Sequence, residues 1–409
     1  MAGPKILAMV LAGGEGTRLF PLTAERSKPA VPFGGRYRIV DFVLSNLINS
    51  EIHSIYVLVQ YKSQSLIEHI HRAWVLSPII PGQFVSIVPP QMREGPEWFQ
   101  GTADAVYQNL NLLDPHAPDL VAVFGADHVY RMDIRQMVRF HLEREAEVTV
   151  AALPVPIQEA SAFGIVEANR SGRITGFVEK PVSPPPMPSD PERAFASMGN
   201  YLFNTQVLIE ALHEARRLGE KDFGRDVIPR LIASHRVFAY DFSKNKVPGV
   251  RSYEEPAYWR DVGTIDAFYA AHRDTLGTEP RFNLFNPRWP ILSSGYQGPV
   301  AAIVRGTLEN CDVGAGSLIK DATVRNSVLR REVLLEEDVV VEDSIVMDYT
   351  IVRAGARLKR VIVDRYNVLG PGERIGYNLD EDKKRFHVTG SGIVVIPKGA
   401  HRADTRRYY

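Results

Sequence analysis

Over the first two thirds of the chain, short apolar runs alternate with longer stretches of helical periodicity. The runs at 6–11, 55–60, 120–124, 148–153, 174–179, 198–203 and 237–241 have the length and β-branched content of buried strands. Between them, 39–50, 63–74, 103–113 and 206–218 carry apolar residues at helical spacing. The alternation predicts an open, mostly parallel α/β sheet with helices on both faces. In such a sheet the ligand crevice lies at the carboxyl ends of the strands. The proline-rich stretch 181–191 reads as a surface loop within this unit. After a segment rich in Pro, Asn and Trp (283–298) the period changes. Aliphatic residues recur near Val328, Leu334, Val339, Ile345, Ile351, Leu358 and Val363, with glycines and no helical stretch. Coils of a parallel β-helix and an irregular β-sandwich both fit that imperfect repeat. The expected organisation is a domain over 1–280, a linker over 281–298 and a β domain over 299–409.

The first apolar run ends in Gly13-Gly14-Glu15-Gly16-Thr17-Arg18-Leu19, and Lys28-Pro29-Ala30 follows. Glycines permit positive φ and let backbone amides approach a ligand closely, so a glycine loop after a parallel strand is a natural phosphate cradle. Arg18 and Lys28 add two cations. Neither common nucleotide motif fits: there is no Gly-x-x-x-x-Gly-Lys-Ser/Thr, and Leu19 stands where a dinucleotide fingerprint needs its third glycine. Asp127 follows the apolar run 120–124, a position usual for a turn or cap residue. Paired with Asp261, it has the make-up of a magnesium clamp.

The glycine loop with its Lys-Pro-Ala resembles the signature of sugar-nucleotide pyrophosphorylases. Further blocks resemble one branch, the bacterial glucose-1-phosphate adenylyltransferases (ADP-glucose pyrophosphorylases) that supply glycogen synthesis. They include 33–42 (Phe-Gly-Gly-Arg-Tyr-Arg-Ile-Val-Asp-Phe), 98–105 (Trp-Phe-Gln-Gly-Thr-Ala-Asp-Ala), 125–130 (Gly-Ala-Asp-His-Val-Tyr), 177–181 (Phe-Val-Glu-Lys-Pro), 197–200 (Ser-Met-Gly-Asn) and 258–263 (Tyr-Trp-Arg-Asp-Val-Gly). The resemblance implies a Rossmann-like nucleotidyltransferase domain followed by a left-handed parallel β-helix, and a homotetramer. It implies transfer of the adenylyl group of ATP to glucose 1-phosphate, with Mg²⁺ held by Asp127 and Asp261. Arg18 and Lys28 would neutralise the triphosphate. Nucleotide contacts fall to Leu11, Ala12, Gly13, Gly14, Gly16, Thr17 and Gly101. Phe99, Gly164, Glu179, Lys180 and Ser197 would hold glucose 1-phosphate, Lys180 at its phosphate and Phe99 through packing alone, since many relatives have Tyr there. Anionic allosteric effectors would bind at Arg26, Arg38, Arg365 and Lys398. Glu25 departs from the pattern, standing where enteric members carry lysine. That reversal argues against fructose 1,6-bisphosphate and for a singly phosphorylated sugar or a small carboxylate such as pyruvate.

Composition narrows the alternatives. With 48 basic and 48 acidic residues, nucleic acid is not the expected principal partner. The one cysteine, Cys311, forms no intramolecular disulfide and fits a reducing cytoplasm. No signal peptide and no membrane-length apolar segment is visible. An acyltransferase in the β domain would need a histidine base in its coils, yet none occurs between His272 and His387. A sister thymidylyl- or uridylyltransferase would lack the adenylyl-type blocks, and a non-catalytic subunit would lack one of the cations or carboxylates retained here. The basic, aromatic tail 400–409 suggests no function.

Overall fold

The apolar runs of the first two thirds pair into one nine-stranded sheet. It belongs to a computed structural model that describes residues 3–77, 79–93, 95, 97–187 and 190–400. The tail beyond Ala400, Pro188 and Ser189 of the proline-rich loop, and the first two residues of the chain lie outside that set. Ile6–Ala12 is parallel to Ser54–Val59 on one side and Leu120–Gly125 on the other, and Phe84–Val88 extends the parallel half. Arg193–Asn204 then runs antiparallel to Leu120–Gly125 and carries Val148–Pro156 and Gly164–Ala168. Ile174–Glu179 closes this half as the antiparallel partner of Gly164–Ala168, while Val237–Asp241 runs parallel to Val148–Pro156. The sheet is thus more mixed than the alternation alone implies. Between Val148–Pro156 and Arg193–Asn204 the described chain folds as strands with only a short 3₁₀ turn at Ala160–Ala162.

The pleat sends successive side chains to opposite faces. Leu7, Met9, Val121 and Val123 join one hydrophobic cluster, and Ala8, Val10, Ala122 and Phe124 join the other. Thr102–Tyr107 and Thr205–Leu218 cover the first face through Val106, Leu208 and Leu212. Val40–Asn49, Gln64–Ala73 and Ile134–Glu143 cover the second through Val43, Leu66, Ile70 and Met137. The expected helix over 103–113 stops at Tyr107 and resumes as a 3₁₀ turn at Leu110–Leu112. Asn109 there donates its side-chain amide to the carbonyl of Ala105 at 2.8 Å, competing with the backbone.

After residue 300 the chain winds into parallel coils. Ala302 pairs with Leu318, Leu318 with Leu334, Leu334 with Ile351 and Ile351 with Val368, so a coil takes 16 or 17 residues. Ladders through Thr323–Val340–Arg357–Arg374 and through Val328–Ile345–Ile362 form two further faces. The interior is a stack of aliphatic residues, among them Val324, Leu335, Val341, Leu358 and Val363. This is a parallel β-helix. A short helix, Leu379–Asp382, precedes its last strands, an element the repeat does not announce.

The two parts share an apolar cluster. Leu19, Val31, Phe33 and Phe42 from the first meet Ile345, Met347, Ile362 and Val395 from the second. At its edge Arg330, fully buried, donates to the carbonyls of Phe33, at 2.8 Å, and of Gly34, and to Asp348 at 3.0 Å. The segment 283–298 lies along Val40–Asn49. Leu292 N donates to Ser45, and Ser293 Oγ to the buried carboxylate of Asp41 at 2.7 Å. That carboxylate also accepts from His69 at 2.6 Å, Trp74 at 2.8 Å and the amide of Arg38 at 2.8 Å. Burial alone would push the Asp41 carboxyl up, but His69 and these donors hold it below the usual range. Asp41→Ala strips an acceptor from four donors, of which His69 and Trp74 are buried, and a buried donor left unpaired costs about 1–3 kcal/mol. We expect the midpoint of thermal unfolding, followed by circular dichroism, to fall by several degrees.

Candidate active site

The parallel strands end at a cleft of about 590 Å³, within the usual range for small-molecule sites. Its lining brings together Leu11, Gly13, Gly14, Gly16, Thr17, Arg18, Lys28, Phe99, Gly101, Asp127, Gly164, Glu179, Lys180, Ser197 and Asp261. Of the residues expected at the two substrates, only Ala12 is absent. Its position on the first strand turns it into the core instead.

The three loop glycines serve different purposes. Only Gly16 has a positive φ, of 65°, and a Cβ there would lie 2.9 Å from Lys28 Cβ. The glycine loop and the Lys28–Ala30 turn therefore pack in direct contact. A Cβ on Gly13 would just touch Gln60 at 3.4 Å, and one on Gly14 would meet nothing within 4 Å. Among the described residues, no protein acceptor takes the amides of Gly14, Glu15 or Gly16. They remain available to a ligand.

Lys28 forms the floor. Its Nζ lies 2.9 Å from Asp127 and 2.7 Å from Asp261, and its side chain is only 7% exposed. The two aspartates, far apart in sequence, meet because Trp259–Asp261 pairs antiparallel with His128–Tyr130, setting Asp261 opposite His128. Burial acts to lower the Lys28 pKa, but the two carboxylates more than reverse it and the ammonium is raised above its ordinary value. Burial likewise opposes ionisation of Asp127, yet the His128 and Lys28 charges hold its carboxyl far below the usual range. Arg18 reaches from the open side to 3.8 Å from Asp261. Ligand atoms of Asp127, His128 and Asp261 lie within 4.8 Å of one another. Two carboxylates in an oxygen-rich group suit a hard divalent cation. Lys28 leaves Asp127 Oδ1 and Asp261 Oδ2 as the carboxylate oxygens to offer one.

The opposite wall belongs to the antiparallel half. Glu179 stands directly across from Gly164, where a Cβ would lie 2.7 Å from the Glu179 carboxylate. Lys180 follows at φ 47°, its amide bonded to Phe163 O and its Nζ 3.3 Å from Glu179. Ser197 precedes a register shift in its strand, and its Oγ accepts from the amide of Gly199. Phe99, expected with these sugar-side residues, lies instead on the glycine-loop side. It is buried in the core, and its carbonyl accepts from Gln60 at 3.1 Å.

Gln60, Thr102, His128, Tyr201, Asp222 and Trp259 also line the cleft. Gln60 follows its strand just as Gly13 follows the first, a signal that was readable. Asp222 carried none. In sequence it is an ordinary helix cap, and it does accept from Arg225 N, but its other oxygen accepts from Thr102 at 2.8 Å.

A nucleotidyl transferase family model matches residues 7–278, and a GlmU-like C-terminal hexapeptide model matches 301–396. The chain is 54% identical over 402 residues to a glucose-1-phosphate adenylyltransferase of Thermodesulfovibrio yellowstonii, covering 98% of each. It is 49% identical to one of an Anaeromyxobacter species, covering 96% of this chain and 98% of that one. Its identity to one of Mycobacterium tuberculosis is 51%, covering 97% and 98%. The chain belongs to the glucose-1-phosphate adenylyltransferase family.

A second cationic cluster lies where this adenylyltransferase-family chain joins its β-helix. Arg26 is buried and paired with Asp364. Burial, together with the charges of Arg365 and Arg26, brings Arg38 down to about 9. Burial and Arg26 lower Arg365 as well. Lys398 pairs with Glu25. All four cations expected at an effector site thus converge.

For the cleft, Gly14→Ala and Gly16→Ala should behave oppositely in the free protein. Gly14→Ala leaves the melting temperature unchanged, so any loss of nucleotide affinity reports close approach of the ligand. Gly16→Ala lowers the melting temperature, because the φ and the contact with Lys28 are both unfavourable to a Cβ.

Proposed function

We propose that the chain transfers the adenylyl group of ATP to α-D-glucose 1-phosphate, giving ADP-glucose and pyrophosphate for glycogen or other α-glucan synthesis. The observation that carries this is the cleft itself. It sets a glycine loop and a Lys28–Asp127–Asp261 floor against a Glu179–Lys180 wall, in a chain about half identical to named adenylyltransferases over nearly its whole length. A phosphate oxygen of glucose 1-phosphate attacks the α-phosphorus of ATP in line. The new P–O bond forms as the bond to the β-phosphate oxygen breaks, and the electron pair leaves with pyrophosphate. No covalent enzyme intermediate is needed, so catalysis consists of positioning and charge stabilisation.

Arg18 and Lys28 neutralise the triphosphate, and the free loop amides add fixed dipoles aimed at it. Lys180 orients the attacking phosphate, Glu179 and Ser197 bind sugar hydroxyls, and Gly164 leaves them room. Mg²⁺ is the proposed divalent ion, held by Asp127 and Asp261, and when bound it supplies further charge neutralisation to the leaving group.

The reading extends to organisation and regulation. Residues 1–280 form the catalytic domain, 281–298 a linker, and 299–409 a domain for regulation and assembly. Exposed Val300, Ile303 and Val304 on the first coil support association into a homotetramer. Among the described residues no helix is long and apolar enough to cross a membrane. Arg26, Arg38, Arg365 and Lys398 bind an anionic effector, a singly phosphorylated sugar or small carboxylate in preference to fructose 1,6-bisphosphate.

The test is pyrophosphate release with glucose 1-phosphate and Mg²⁺, offering ATP, UTP, dTTP, GTP and CTP separately. Release is expected to be selective for ATP and to fall about a hundredfold or more in Asp127→Ala. Preference for UTP or dTTP would move the chain to a sister activity, and a strongest response to the bisphosphate would overturn the effector assignment.

A further inference from the structure

Glu25 lies at the edge of a site with more fixed positive charge than its own carboxylates meet. Arg26, Arg38 and Arg365 crowd together, with Asp364 paired to Arg26 and Asp348 held by Arg330 and Arg331. Among the described residues, Arg26 Nε and Nη1 and Arg365 Nε are buried and find no acceptor. Buried guanidinium donors left in this state call for an anion. Lys398 is fixed beside them, because the amide of Gly399 bonds to Arg365 O at 2.9 Å. Its ammonium is taken by Glu25. The carboxyl of Glu25 is held below its ordinary range by Lys398 first, and by the Arg26 and Arg365 charges beyond it. The two partners differ in freedom. The Glu25 side chain is 59% exposed against 30% for Lys398, so Glu25 is the one free to swing into solvent.

We propose that Glu25 is a built-in anion which occupies Lys398 in the free protein and competes with any anionic ligand of the arginine cluster. This rests on reading the cluster as an effector site and specifies how that site is tuned. An ion pair this exposed is weak, so a dianion able to engage Lys398 together with the unpartnered guanidinium donors displaces it. Glu25 meanwhile repels incoming negative charge, and thereby sets the threshold concentration of the effector. Ligands with few charges suffer that repulsion least.

The experiment is calorimetric titration of the full chain with inorganic phosphate, comparing wild type, Glu25→Gln, Lys398→Met and the double variant. Glu25→Gln is expected to bind phosphate about threefold to tenfold more tightly, the range an exposed pair plus one removed repulsion provides. Lys398→Met is expected to bind it more weakly. In the double variant the gain from Glu25→Gln should shrink to the part that the removed repulsion alone provides, since the pairing with Lys398 is gone. Unchanged or weaker binding in Glu25→Gln, with Lys398→Met still weakened, would overturn the competitor role while leaving the effector site standing. Phosphate affinity indifferent to Lys398→Met would overturn the effector reading and this proposal with it.

Discussion

The cleft is organised by one buried cation holding two carboxylates. An antiparallel ribbon sets Asp261 opposite His128 and so brings it beside Asp127, and two ionised carboxylates at that range repel unless positive charge stands between them. Lys28 supplies it, with both contacts under 3 Å. Desolvating an ammonium is costly, and burial does oppose its charge, but the paired carboxylates outweigh that opposition. The surrounding structure then follows as support. The tight packing of Gly16 on Lys28 fixes the lysine's backbone. The ribbon fixes the aspartates, and the Phe33–Gly34 turn beyond is gripped by Arg330 and by His272, whose Nε2 accepts from the Gly34 amide.

The legibility of the sequence followed the range of the forces involved. Strands such as Ile6–Ala12 and Leu120–Gly125 were readable because both faces of a central strand are buried and its apolar run is continuous. The β-helix was half readable. Its interior aliphatics recur in the sequence, but three faces and coils of 16 or 17 residues blur a six-residue period, and only the family resemblance decided against a sandwich. The antiparallel half was hardest. Gly164–Ala168 is five residues long, with Glu167 exposed within it, and its pairing with Ile174–Glu179 is set by a turn rather than by hydrophobic pattern.

At the site, local backbone chemistry announced the glycine loop and the family resemblance announced Asp261, Glu179, Lys180 and Ser197, whereas Asp222, which neither singled out, was missed. Gly13, Gly14 and Gly16 signal a loop wherever they occur. Asp222 looks like any helix cap, and its reach to Thr102 depends on a distant loop folding back. Ala12 shows the converse case of a side chain that leaves the cleft. Adjacent to true lining residues in sequence, it is turned away by the two-residue period of its strand. Even the glycines were read too uniformly, since only Gly16 uses the conformational freedom assumed for all three.

The proposed catalytic and effector groups are not two remote sites joined by a long path. Arg26 and Lys28 are two residues apart, on a segment that is buried from Arg26 through Phe33. Arg26 is anchored to Asp364 of the β-helix, and Lys28 to the aspartates of the catalytic sheet. A 3₁₀ turn beginning at Lys28, closed by Val31 N to Lys28 O at 3.0 Å, leaves little slack between them. An anion that draws Arg26 toward itself must therefore either break its pairing with Asp364 or carry the Lys28 backbone along. In a close-packed interior such shifts pass between discrete arrangements rather than dissipating. A charge paired with the β-helix and a charge that holds the cleft floor are thus separated by a single residue of buried chain.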